Sequence, residues 1–100
     1  MDNDTKDMPE GPGTMPEASF GFFISGLMME ALMAMGELEN PITKKKETDL
    51  AHAKFAIDML AMIKEKTKNN LTKDEENAIE SVLYDLRMRF VGKSSPQKDK

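Results

Sequence analysis

Residues 63–79 read IKEKTKNNLTKDEENAI, and this stretch decides the fold. Asn69-Asn70 is a helix stop, because Asn tolerates the left-handed geometry that ends a helix. Thr72-Lys73-Asp74-Glu75 is a start: the Thr72 hydroxyl can accept from the N–H of residue 75, and Glu75 can reach back to residue 72. Acids at 74, 75 and 76 suit the positive end of a helix dipole. With so short a turn between them, the flanking helices are predicted to pack as an antiparallel hairpin.

On the N-terminal side, a helix is expected over about 49–68, with Thr48 or Asp49 as N-cap. Leu50, Ala53, Ala56, Ile57, Leu60 and Ile63 make its main face, widened by Phe55, Met59 and Met62. Lys64, Lys66 and Lys68 fall in its last turns, where cations favour the negative helix end. That accounts for them without a nucleic acid. On the C-terminal side, a helix is expected over about 73–91, ending at Gly92 as C-cap. Ile79, Val82, Leu83, Leu86 and Phe90 form its core face, and Tyr84, Met88 and Val91 a second apolar stripe.

Further upstream lies FGFFISGLMMEALMAMG, residues 20–36. Twelve of its seventeen residues are apolar, four of them Met, and its only charge is Glu30. A first helix is expected over about 19–37, with Ser19 as N-cap and Pro41 as a barrier to extension. Phe20, Phe23, Ile24, Leu27, Ala31, Ala34 and Met35 share one broad face at 3.6 residues per turn. Phe22, Met29 and Met33 form a stripe on the opposite side. The two internal glycines, Gly21 and Gly26, cost about 1 kcal/mol each relative to Ala, which suggests close backbone approach to another element. Residues 38–47 read as a connecting loop, and its lysines Lys44 to Lys46 as a solvated run.

The chain is therefore expected to be all-α: three helices, with the second and third a hairpin. Residues 18–92 form the helical domain. Residues 1–17 carry five acids, one Lys, three Pro and two Gly, and residues 93–100 have no large apolar side chain. Both tails are expected to be disordered, since they bury too little to offset the entropy of ordering. The formal charge of −4 divides as −4, −2 and +2 over the first tail, the middle and the last tail. No segment is strongly basic, which argues against a nucleic-acid partner. The chain has no Cys, so no disulfide or thiolate metal site forms, and that usage suits a reducing, cytoplasmic setting. The acidic, Pro-rich start does not resemble a secretory signal.

Chemistry finds few residues. Ser19 and Ser25 have no His near them in sequence, and His52 is the sole His. Asp49 and His52 give a D-x-x-H spacing, but a zinc site needs three or four ligands; a capping Asp and a surface His explain the pair. Gly11 and Gly13 lie in the tail and Gly21 and Gly26 in a helix, so no phosphate loop is present. Glu75 and Glu76 are helix-start residues. No catalytic, cofactor or metal residue is assigned, and no enzyme activity is expected.

The apolar surface exceeds what one three-helix core can hide. Large exposed apolar patches mark contacts, so the expectation is a non-enzymatic self-associating or protein-interaction module. A homo-oligomer is expected, most simply a dimer, with Phe22, Met29, Met33, Tyr84, Met88 and Val91 as candidate interface; an unknown protein partner is the other way to cover them. One alternative is peripheral membrane association through the first helix. A spanning segment needs about 20 apolar residues, and this run is shorter, holds Glu30 and lacks the Lys or Arg of interfacial helices. Another is a groove for apolar peptides made from Met28, Met29, Met33, Met35, Met59 and Met62, since Met is flexible and polarisable.

Three blocks together, LMAMGELENP (32–41), AIDMLAMIKEKTKNNLTKDEE (56–76) and SVLYDLRMRFV (81–91), resemble the bacterial family catalogued as domain of unknown function 1844. The resemblance spans about Phe20 to Val91. Asn69 stands where that family's turn pattern carries Gly. The resemblance implies a small, helical, cytoplasmic bacterial protein with variable, disordered ends and no assigned activity. Asp58, Lys66, Thr67, Asn70, Tyr84 and Arg87 are the polar members of the matching blocks, and helix pairing and turn formation account for them.

Overall fold

The structure, a computed structural model, describes residues 15–94. Its elements are α1 (Phe20–Ala34), α2 (Leu50–Lys66) and α3 (Lys73–Ser94), and no strand occurs among the described residues. The expected three-helix, all-α fold is what forms. The tails assigned to disorder lie mostly outside the described residues.

Each helix start follows from a local side-chain bond. Ser19 Oγ accepts from the Phe22 N–H at 3.1 Å, and Asp49 Oδ1 accepts from the His52 N–H at 3.1 Å. At α3 the box is reciprocal. The Glu75 N–H donates to Thr72 Oγ1 at 3.1 Å, and the Thr72 N–H donates to Glu75 Oε1 at 2.9 Å. Asn69 takes φ 70° in the turn before it, the left-handed geometry its amide side chain tolerates.

Two helix ends differ from expectation. α1 ends at Ala34 instead of near residue 37. Gly36 adopts φ 79°, its N–H donates to Met33 O at 3.0 Å, and the Glu37 N–H donates to Leu32 O at 2.9 Å. That pair of bonds is a Schellman stop with Gly36 at the left-handed position. α3 runs through Gly92 to Ser94 instead of capping there. Lys93, one residue further on, reaches Glu37 after α1 at 3.3 Å, and Arg89 reaches the same carboxylate at 3.4 Å. These contacts tie the last turn of α3 to the end of α1.

The core combines Ile24, Ala31, Ala34 and Met35 with Ala53, Ala56, Ile57 and Leu60 of α2 and Ile79, Leu83 and Leu86 of α3. Small alanines on α1 and α2 let those backbones approach closely. Lys64, late in α2, stands 3.9 Å from Glu80, early in α3, as an antiparallel hairpin requires. The loop between α1 and α2 is closed by bonds of its own. The Asp49 N–H donates to Ala34 O at 2.7 Å, and Asn40 Oδ1 accepts from the Ile42 N–H at 2.8 Å.

Candidate interaction surface

The outer side of α1 is built from residues that cannot all turn inward. With Ile24, Ala31 and Met35 buried, the 100° step per residue places Phe22, Gly26, Met29 and Met33 on the far side of the helix. Phe22 is 58% exposed and Met29 48%. Met33 is half-buried. Phe23 was expected on the inner face but is 54% exposed. It lies about 100° from Ile24, beyond the edge of the contact that Ile24 and the buried alanines define. Phe20 and Leu27 are half-buried against the core.

Phe22 and Phe23, with Ala18, Ser19, Gly26 and Leu27, line an open apolar recess of about 470 Å³. A Cβ added at Gly21 or Gly26 would meet nothing within 4 Å. Among the described residues nothing makes the close approach expected at those glycines, and Gly26 leaves a notch in the apolar stripe. Ser25 Oγ donates back to Gly21 O at 2.9 Å, so its hydroxyl is already satisfied.

Met33 borders a second cleft of about 210 Å³ with Glu30, Ala34, Asn40, Glu47, Asp49 and His52. His52 Nε2 lies 2.6 Å from Glu30 Oε2, joining α1 to α2. Sequence alone predicts only a surface His52. Each of these residues is isolated among neighbours of other kinds, so no spacing signals the pair. Among the described residues, no three His, Asp or Glu side chains are placed to hold a metal ion.

On α3, Tyr84, Met88 and Val91 are exposed. Tyr84 and Met88 border a shallow recess of about 390 Å³ with Lys64, Glu80, Leu83 and Arg87. On α2, Phe55 and Met62 stand exposed instead of widening the buried face. The six methionines weighed as a groove do not share one surface role: Met35 is fully buried, whereas Met29 and Met62 are exposed. Ile42 projects from the α1–α2 loop, 87% exposed beside Lys44 to Lys46.

Three of the polar members are used locally. Thr67 Oγ1 donates to Ile63 O at 2.7 Å, Asp58 pairs with Lys54 at 2.8 Å, and the Asn70 N–H donates to Thr67 O at 2.8 Å. Arg89 donates to Asp85 at 2.9 Å. That hydrogen bond, followed by the Asp85 charge and then Glu37, raises the guanidinium pKa above its ordinary value. No helix among the described residues is long and apolar enough to cross a membrane.

A family model described as Domain of unknown function (DUF1844) matches residues 17–92. The chain belongs to the DUF1844 family. No curated protein and no solved structure matches it. The DUF1844 match contains all three helix cores, apart from the final turn of α3, and both exposed stripes, on α1 and α3.

Proposed function

We propose that this protein is a non-catalytic self-association module, and that two copies meet through the outer face of α1. The observation that carries this reading is the exposure of Phe22 and Met29, at 58% and 48%, on the outer face of α1, with Phe23 exposed at 54% on its flank. Covering such half-exposed side chains contributes about 1 kcal/mol each, or roughly 6 kcal/mol for the six in a dimer. Association costs about 4–15 kcal/mol in lost freedom. The gain from these side chains alone meets only the low end of that cost, so the contact is weak and reversible, and the rest of the face has to contribute to it. The exposed α3 stripe of Tyr84, Met88 and Val91 is a separate patch for a second protein contact. The absence of Cys supports a cytoplasmic location.

Sedimentation velocity over a series of chain concentrations tests the reading. The wild type should pass from monomer to dimer. F22D/M29D should stay monomeric with an unchanged helical spectrum, while Y84D/M88D should still dimerise. A wild type that remains monomeric up to millimolar concentration would overturn it.

A further inference from the structure

Residues 40–46, NPITKKK, hold three lysines, one large apolar side chain and no acid. The loop they form is built around Asn40. The Asn40 N–H donates to Lys45 O at 2.8 Å, and Asn40 O accepts from the Lys44 N–H at 2.7 Å. The side-chain Oδ1 accepts from the N–H groups of Ile42 at 2.8 Å and Thr43 at 3.3 Å. These bonds close a tip of Pro41, Ile42, Thr43 and Lys44. At the foot of the loop the Asp49 N–H donates to Ala34 O at 2.7 Å, which fixes it to the helices. Ile42 is 87% exposed at the tip, and Lys44, Lys45 and Lys46 are exposed beside it. We propose that this tip docks on an anionic lipid surface, with Ile42 entering the boundary below the headgroups and the three lysines meeting the headgroup charges.

Charge and apolarity meet at one projection, and a lipid surface uses both: apolar side chains bury at the acyl boundary while cations stay among the headgroups. A nucleic acid would use the lysines and leave Ile42 in water. Single strands stack on aromatic or Arg side chains, and residues 40–46 have neither. Among the described residues none of the three lysines joins an ion pair. Glu39 and Glu47 come outside the Asn40–Lys45 pairing, toward the helices, and Glu37 is engaged by Arg89 and Lys93. Lys44 has φ 64°, left-handed geometry that glycine takes freely and a lysine does not. Strain of this kind points to a use for the side chain, since glycine would serve the turn and lose the charge. Each lysine beside an anionic surface raises affinity about fivefold. The attachment is weak and reversible, and it needs no second copy of the chain.

Co-sedimentation of the full chain with vesicles at low salt tests this. One set of vesicles is phosphatidylcholine alone, and the other carries about one-third phosphatidylserine. The wild type should bind the mixed vesicles about a hundredfold more tightly than the neutral ones, and added salt should release it. K44S/K45S/K46S should lose that hundredfold, and I42S should weaken binding about tenfold. All four side chains are exposed, so circular dichroism should show both variants folded. K44G separates charge from backbone: affinity should fall about fivefold, with Tm at or above the wild-type value because the strain is gone. The chain has no Trp, so I42W reports the tip alone and F22W the outer face of α1. Vesicles should shift the I42W emission to the blue and leave F22W unmoved. Equal binding to both vesicle types, unchanged affinity in K44S/K45S/K46S or I42S, or a blue shift in F22W without one in I42W would each overturn the proposal. So would a wild type that binds duplex DNA or polyglutamate and ignores the vesicles.

Discussion

Gly36 offers a test in which one residue type gives opposite signs at different positions. Its φ of 79° is the left-handed region, and a Cβ there would sit 2.7 Å from Thr48 Oγ1. Left-handed geometry costs a side-chain-bearing residue about 1–2 kcal/mol. The Thr48 hydroxyl lies at the tip of an exposed side chain, so it yields by leaving its rotamer, at about 0.5–1.5 kcal/mol. G36A should therefore lose about 2–3 kcal/mol. That is more than half of the ~3–5 kcal/mol a domain this small can muster, and corresponds to a Tm lowered by about 10–15 °C. Urea unfolding followed by circular dichroism, at one fixed chain concentration, measures it. G21A and G92A are the controls. Both glycines are inside helices with open space around them, so each substitution should stabilise by about 1 kcal/mol. In a T48A background the G36A loss should shrink to its backbone share. A G36A protein as stable as wild type would refute the left-handed stop as the reason α1 ends where it does.

Leu60 is fully buried among Ile24, Ile79 and Leu86, so L60A should cost about 2–5 kcal/mol by urea titration. T72A removes the hydroxyl that accepts from the Glu75 N–H and should cost about 1 kcal/mol, with amide exchange rising first in the opening turn of α3. The His52–Glu30 pair is part-exposed on both sides, so a double-mutant cycle with H52A and E30A should give a coupling below about 1 kcal/mol that falls with added salt. Since dimerisation and folding are linked, Tm measured by calorimetry should rise with chain concentration for the wild type and stay constant for F22D/M29D.

Features held by neighbours in sequence are legible from residue identity and spacing. Ser19, Asp49 and the Thr72–Glu75 box act through hydrogen bonds spanning three residues, and Asn69 acts through its own φ. Residue identity and spacing therefore carry the information. The end of α1 had a local signal too, because Gly36 is the residue a Schellman stop requires; Pro41 was a more conspicuous breaker further on. The end of α3 had none. Gly92 suggests a cap, and only the approach of Lys93 to Glu37, residues far apart in the chain, explains why the helix continues. The exposure of Phe23 is of the same kind. The wheel puts it on the border of the inner face, and the rotation that settles its side depends on where the α1 and α2 alanines meet.

The size of the core connects this rotation to the proposed function. Of eleven buried apolar residues, four are alanines. Alanines allow α1 and α2 to approach closely, but they bury little area, and buried area supplies the stabilisation. The larger side chains of α1 are divided: Ile24 and Met35 go inward, while Phe22, Phe23 and Met29 are left outside. A helix that gives alanine to its own fold and phenylalanine to solvent has its strongest apolar contacts still to make. Exposed aromatics of this kind add nothing to the stability of an isolated chain, but they stabilise any assembly that covers them. The same rotation that keeps the monomer core small thus leaves the α1 stripe available, so folding and self-association draw on one helix.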